Sequence, residues 1–490
     1  MSLVGLDLNS SRVRGVGSNG RQPPQPLALE REAIEFPLAL SLESRTPTPG
    51  QAALKLLRSR PHRTCIDFLP HLGTARVWTA ARGRLTAEDA LKLCLSSLGR
   101  SLNRVVGMGF CLPPYLDPVQ VQLLYHICHS HKISLYGSIS VPLAAVLARL
   151  LADPAPLEPS IVLVVDVDGY ALTWNLVDAT SGEVSLLQTQ VSPGLSRSVW
   201  LRRLGDGIAA RFIRQCRHDP REEADTDQAL YDQILPMLSR EAKPTYLPVG
   251  LQGATWSSHL MVPSEDLVGF VGSCLQQTAA ELDSILHGAQ RWGGVGTALI
   301  TGSAAALPGL TDLVRSRLQR ESLAVSDEAD YGDAIVQAIG DDRVRELSDD
   351  ALALAAFELA SRVQAGQLAR GPHESLSVPT AGAAPPDDGP PRLQFRGQEH
   401  LLQKVSFVLG RDPGCDLVFE SELYPHVSAR HAEVVFDRRH FLIYDRSRHG
   451  TLVNDQAIDR QAPLHSGDWI RLGPQGPVLR FLGVPQRGGA

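Results

Sequence analysis

Between Gly371 and Pro391 the sequence carries prolines at 372, 379, 385, 386, 390 and 391 and almost nothing large and apolar. Such a stretch buries too little surface to offset the entropy of ordering it, so it is expected to be an extended, mobile linker. It divides the chain into two regions of different character. In residues 1–370 strands alternate with helices, whereas in residues 392–485 short strands alternate with turns. Two separate folds are therefore expected, an α/β region followed by an all-β one.

With 490 residues, 43% of them hydrophobic and 20% charged, the chain has enough apolar content for two or three substantial cores. A net charge of −6 gives no electrostatic reason to expect nucleic acid or an anionic membrane as a partner. Met1 to Gly20 lacks the basic start and apolar run of a signal peptide. No run of about 18 apolar residues occurs that would span a bilayer, so a cytoplasmic protein is expected. The Arg, Ala, Leu and Pro usage is bacterial in style. The seven cysteines are dispersed, with no Cys-x-x-Cys pair, and read as buried free thiols in a reducing compartment.

In the first region Leu3 to Leu8 and Arg12 to Val16 read as strands joined by the polar turn Asn9-Ser10-Ser11. Arg104 to Cys111 is another apolar strand, and Ile161 to Asp166 is a β-branched run suited to burial on both faces. Ala171 to Val177 and Val184 to Gln190 form a meander through a turn at Ser181-Gly182. Thr86 with Asp89, and Asp117-Pro118 with Gln120, open helices with capping patterns. The first of these helices carries the stripe Ala87, Leu91, Cys94, Leu98 and Leu102. Ser264 precedes a long helix striped by Leu267, Phe270, Val271, Cys274, Thr278, Leu282 and Ile285. Arg203 to Leu260 is polar and irregular.

In the second region Phe407-Val408-Leu409 runs into Gly410-Arg411, a strand ending in a loop that presents an arginine. Val427 to Ala432 leads into the strand Glu433 to Phe436, and Phe441 to Tyr444 closes into a loop from Asp445 to Asn454. Leu464 to Asp468 turns into the strand Trp469 to Leu472, and Val478 to Leu482 is the last strand. Short strands at regular spacing with turn residues between them imply a β-sandwich. Its loops suit a phosphate: arginine offers a planar fork of donors, and a serine hydroxyl adds a neutral one.

The Gly410-Arg411 pair, Ser428-x-x-His431 and Asp445-x-Ser447-x-x-Gly450-Thr451-x-Val453-Asn454 resemble the forkhead-associated (FHA) family in order and spacing. The resemblance implies a phosphothreonine-binding module, with Arg411 and Ser428 on the phosphate and Arg430, Ser447, Arg448 and His449 lining the peptide site. It gives Gly410, His431, Gly450, Thr451 and Asn454 structural roles. Two positions depart from the family: His449 stands where asparagine usually holds the peptide backbone, and Ala429 where an arginine often follows the serine. Phosphothreonine-containing proteins, a Ser/Thr kinase or its substrates among them, are the partners this implies.

Gly5 to Ser11 resembles the first phosphate loop of the actin, sugar-kinase and heat-shock-chaperone superfamily. Gly107 to Tyr115, Ser140 to Ala145, Val164 to Gly169, Thr301-Gly302-Ser303 and Asp327 to Ala334 resemble later chaperone motifs in the same order. The resemblance implies a two-lobed actin-like ATPase domain over residues 1–370, with Asp7, Asn9, Ser10, Ser11, Asp166, Gly169, Gly302 and Ser303 around ATP or ADP. Asp7 and Asp166 would hold hydrated magnesium. Phosphate loops use glycine so that backbone N–H groups can approach the phosphates. Here Asn9, Asp168 and Tyr170 replace loop residues, Val141 replaces a glutamate, and Lys55 is the nearest candidate for the family's catalytic lysine. The expectation is an inactive ATPase fold tethered to a phosphopeptide-binding scaffold module; the rival is an ATP-driven conformational switch.

Overall fold

The computed structural model describes residues 2–18, 23–81, 83–102, 105–153, 157, 161–179, 183–238, 245–325, 343–377, 390–395, 398–402, 404, 406–421, 424–436, 441–453, 456–464, 468–473 and 476–482. The Asp327 to Ala334 motif, the Ser181-Gly182 turn and Asn454 lie outside them.

The strand Ser2–Leu8 has Leu3, Val4, Leu6, Asp7 and Leu8 all buried, and a strand without a solvent face belongs inside a sheet. It pairs antiparallel with Arg12–Ser18 and parallel with Val105–Leu112, so that Leu6 faces Gly15 on one side and Phe110 on the other. Leu135–Ser140 extends the parallel side, and Gln25–Pro26 and Glu35–Pro37 flank Arg12–Ser18. A second sheet repeats this order. Ile161–Val167, buried throughout, pairs antiparallel with Leu172–Asp178, which pairs antiparallel with Glu183–Ser192. On its other side it runs parallel with Thr297–Ile300, and Val344–Glu346 follows.

Two helices fill the space between the sheets. Val141–Ala152 is apolar nearly all round, the pattern of a helix with no solvent face. It packs with Ala351–Gln364 in one core that joins Cys111 and Ile139 of the first sheet to Val162, Val164 and Leu299 of the second. The second lobe has a larger core of its own around Trp174, Trp200 and Phe212.

Local signals hold where capping chemistry is explicit. Thr86 accepts a hydrogen bond from Asp89 N at 3.2 Å and opens Ala87–Ser101, whose expected stripe is buried. Asp117 and Gln120 form a reciprocal capping box at the start of Pro118–Ser130. Three expectations need correction. The region Arg203 to Leu260 is regular: it holds the helices Arg197–Cys216 and Ala224–Ile234 and the hairpin Tyr246–Gln252 with Ser257–Pro263. The long helix after Ser264 is two helices, Asp266–Phe270 and Gly272–Ala289, interrupted at Val271. The segment expected to be a linker begins as structure. Gly371–His373 pairs with Leu135–Ser140, and Ser375–Ser377 pairs with Glu183–Ser192, so the chain ties both sheets together, with Leu376 buried.

The C-terminal body is a sandwich of two antiparallel-rich sheets. One has Gln398–Leu401, Arg392–Phe395, Val478–Leu482, Trp469–Leu472, Thr451–Val453 and Gln456–Ala457 in that order. The other has Leu417–Val418, Ser406–Gly410, Ala432–Phe436, Phe441–Asp445 and Gln461–Leu464. Leu409, Ile443, Ile470, Leu472, Leu479 and Phe481 fill the space between them. Arg480 lies 3.5 Å from Asp178 with both side chains buried, so the sandwich touches the second lobe. All seven cysteines are free. Among the described residues no helix is long and apolar enough to cross a membrane, and no cluster of His, Cys, Asp and Glu could hold a metal ion.

Candidate functional site

At one end of the sandwich three loops meet. The strand Ser406–Gly410 delivers Arg411, and a Cβ at Gly410 would lie 2.2 Å from the Ala429 carbonyl oxygen, so only glycine allows the first two loops to touch. Arg411 N donates to Ser428 O at 3.2 Å and Asp412 N to Ala429 O at 2.9 Å, which zips those loops together. The third loop joins through Arg448 N, which donates to Ser428 Oγ at 3.1 Å. Ser428 Oγ thus receives one hydrogen and keeps its own to give.

The third loop is braced from within. Asp445 Oδ1 accepts from Ser447 N at 3.0 Å and from Thr451 Oγ1 at 2.9 Å, and Ser447 Oγ accepts from Gly450 N at 2.8 Å. Gly450 has φ +82°, the left-handed region that glycine adopts without strain. Ser447 therefore supports the loop that presents Arg448 and His449. His449 is exposed and meets exposed His426 edge to face at 5.3 Å between ring centroids. Arg430 and Arg448 are exposed and Arg411 is half-buried, with its Nε enclosed and without a hydrogen-bond acceptor. The neighbouring Arg446 and Lys404, by contrast, are paired with Glu433 and Asp416. The loop cluster thus presents guanidinium groups and a free hydroxyl hydrogen, which is the donor set for a phosphate dianion.

His431 joins the second and third loops. It is fully buried, accepts at Nδ1 from Ser428 N at 3.0 Å, and its Nε2 reaches Gly450 O at 3.2 Å. One acceptor nitrogen and one donor nitrogen make a neutral imidazole. Burial pushes its pKa below the ordinary 6.5, and the bond to Gly450 and the charge of Asp445 oppose this only in part. The unfolded chain therefore takes up this proton more readily than the folded one. The His431 contribution to stability is complete above about pH 6.5 and is lost as pH falls towards the lower folded value. Acidification from pH 7.5 to 5.5 is expected to lower the hydrogen-exchange protection factors, taken relative to the base-catalysed intrinsic rate at each pH, in the strands Ser406–Gly410 and Ala432–Phe436. Protection factors that rise at the lower pH would contradict the neutral bridge.

The other expected site residues gather where the two sheets face each other. Asn9 Oδ1 accepts from Ser11 N and Arg12 N, each at 3.0 Å, and so shapes the turn after the first strand. Arg12 donates to Asp7 Oδ2 at 3.2 Å and to Ser303 Oγ at 2.9 Å. Burial works against its charge, but Asp7, Glu35, Asp166 and Asp349 outweigh that and raise its pKa. Asp166 accepts from Thr301 Oγ1 at 2.7 Å, and burial pushes its carboxyl up to about 7. Asp168 Oδ1 accepts from Tyr170 N at 2.9 Å and Ala171 N at 3.0 Å, and its Oδ2 from Ser10 N at 2.9 Å and the Tyr115 hydroxyl at 2.5 Å. Gly169 N donates to Ser11 Oγ at 3.1 Å and Tyr170 N to Ser10 Oγ at 3.0 Å. Gly302 lies against Asp349, where a Cβ would come within 2.0 Å of Oδ1. Val141 is buried in the core between the sheets, and Lys55 is exposed just after the short helix Gln51–Leu54.

Sequence reading missed Arg12 and Tyr115 as members of this cleft. Arg12 opens a strand, and Tyr115 follows two prolines, so neither stands out locally; the partners lie 291 and 53 residues away.

No curated protein matches the chain. Residues 407–473 match the family model described as FHA domain, a span that holds Arg411, Ser428, Arg430, His431 and Ser447 to Thr451. The chain therefore carries an FHA domain, a module that binds phosphothreonine-containing proteins.

Proposed function

We propose that this chain is a phosphothreonine-docking scaffold whose N-terminal region, residues 1–370, is an actin-like ATPase fold that no longer turns over nucleotide. The docking reading rests on one observation above all: the loop junction sets the Ser428 hydroxyl, which still has a hydrogen to give, beside the half-buried Arg411. Arg430, Arg448 and His449 flank this point and would contact the peptide around the phosphate. A Ser/Thr kinase or its phosphorylated substrates are the partners that such a pocket serves.

Two things support the actin-like reading: the repeated strand order, three antiparallel strands followed by two parallel ones, and the two helices between the sheets. The residues present do not fit a magnesium nucleotide. The Arg12 guanidinium stands on Asp7 where a cation would have to approach, and Asp166 is buried with its carboxyl pushed up to about 7. Asp168 takes backbone N–H groups that a phosphate would need.

The test is a pull-down of the full chain with two peptide libraries that differ only in phosphorylation of a central threonine. Retention on the phosphorylated library alone is expected. Equal retention on both would show protein docking without phosphate recognition and would overturn the reading.

A further inference from the structure

The polar groups of the N-terminal cleft are satisfied in a pattern with a consequence beyond loss of catalysis. The Asp168 carboxylate, 3% exposed, collects three backbone N–H groups and one hydroxyl, from Ser10, Tyr170, Ala171 and Tyr115. Ser10 and Tyr115 belong to the first lobe, and Asp168, Tyr170 and Ala171 to the second. The side chains of Ser10 and Ser11 return the contact by accepting from Tyr170 N and Gly169 N. Arg12 crosses in the same direction to Ser303 Oγ. An anion held by several backbone N–H groups between two loops is what a bound phosphate provides; here the chain provides it from its own side chain.

We infer that Asp168 is a built-in anion that latches the two lobes shut, in place of a ligand phosphate. This rests on the proposal that the cleft takes no nucleotide. The N-terminal region is then a permanently closed body, and its outer surface does not change with nucleotide. Charge-assisted bonds to a buried carboxylate are among the stronger polar contacts, and those from Ser10 N and Ala171 N also spare a buried N–H from being unsatisfied. Asp168 is therefore a positioning residue whose loss frees both loops together.

Amide hydrogen exchange of the full chain reads the latch at its donors. In Asp168→Ala the N–H groups of Ser10 and Ala171, which have no other acceptor, are expected to exchange at least about tenfold faster than in the unmodified chain. Formate, the size of the deleted carboxylate, is expected to restore their protection, while sodium chloride at equal ionic strength is not. Unchanged rates at these two amides would overturn the latch. So would a uniform acceleration that includes the C-terminal sandwich, because that is global destabilisation. If Asp168→Ala does not fold, Tyr115→Phe removes one donor and keeps the ring; faster exchange at Ser10 N is expected, and wild-type protection there overturns the proposal. A separate titration of the unmodified chain with magnesium ATP tells the two ideas apart. Tight binding sinks the nucleotide-free reading itself, whereas no binding together with an unresponsive Asp168→Ala sinks only the latch.

Discussion

Replacing Arg411 by alanine is expected to weaken phosphothreonine-peptide binding by about 100-fold or more. A guanidinium fork gives two parallel charge-assisted bonds to phosphate oxygens, each contributing about 1.5–3 kcal/mol, and alanine removes both. The fold should tolerate the change. The contacts that hold this loop in place run through the backbone, from Arg411 N to Ser428 O and from Asp412 N to Ala429 O, and survive the substitution. Arg411→Lys keeps the charge but not the fork, so a loss of about tenfold is expected. Arg446→Ala is the control. Its guanidinium already pairs with Glu433 at 3.4 Å on an exposed surface, and removing it should change affinity less than about twofold. Fluorescence anisotropy of a labelled phosphopeptide at fixed ionic strength measures all three. An Arg411→Ala chain that binds as tightly as the unmodified one would remove the phosphate pocket from this loop cluster.

The loop cluster was readable from sequence because its bracing contacts are short-range. Asp445, Ser447, Gly450 and Thr451 lie within seven residues, and each bond among them follows from turn chemistry: a carboxylate accepting from the N–H two residues on, a hydroxyl accepting from the N–H three residues on, a glycine at positive φ. The spacing Ser428 to His431 likewise puts an imidazole nitrogen back on a backbone N–H of the same loop. The cleft was readable only in part. Asn9 shapes its own turn, which the polar tripeptide announces, but what that turn touches is set by residues 158 positions away.

The misread elements have physical reasons too. The stretch from Arg203 onward reads as irregular, and at its start Gly205-Asp206-Gly207 sits in the middle of the helix Arg197–Cys216, where two glycines cost about 2 kcal/mol against alanine. Burial of Trp200, Leu204, Ile208 and Phe212 at four-residue spacing outweighs that cost. Gly207 is needed there, since a Cβ would lie 2.3 Å from the Phe270 ring. Gly371 to Ser377 looked like linker because three-residue strands carry too few side chains to show an alternation. Their order comes from sheet edges supplied by strands far away in sequence.

The same substitution, glycine to alanine, is expected to act in opposite directions at Gly109 and Gly99. Gly109 lies in the strand Val105–Leu112, where a glycine packs nothing and weakens the strand by local criteria. Its reason is the helix Ala351–Gln364: a Cβ would stand 1.9 Å from Ala356 O and 3.3 Å from Ala360 Cβ. Gly5 in the neighbouring strand meets the same helix at Ala353 O and Phe357 N, each 2.1 Å away. A backbone carbonyl cannot turn aside as a side-chain tip can, so one methyl at Gly109 must move the whole helix. That helix packs against Val141–Ala152 in the shared core between the sheets, and the strain spreads to both lobes. Overpacking of this kind costs about 3 kcal/mol, enough to lower Tm by roughly 4 °C in a region of this size. Gly99 lies in the helix Ala87–Ser101 with nothing within 4 Å of the place a methyl would occupy, so alanine there gains helix propensity, about 1 kcal/mol. Thermal melts of the two variants should bracket the unmodified chain, with Gly109→Ala below it and Gly99→Ala above. If Gly109→Ala melts at or above the unmodified temperature, the helix does not lie on this sheet as closely as described, and the arrangement that faces the two lobes across the cleft has to be redrawn.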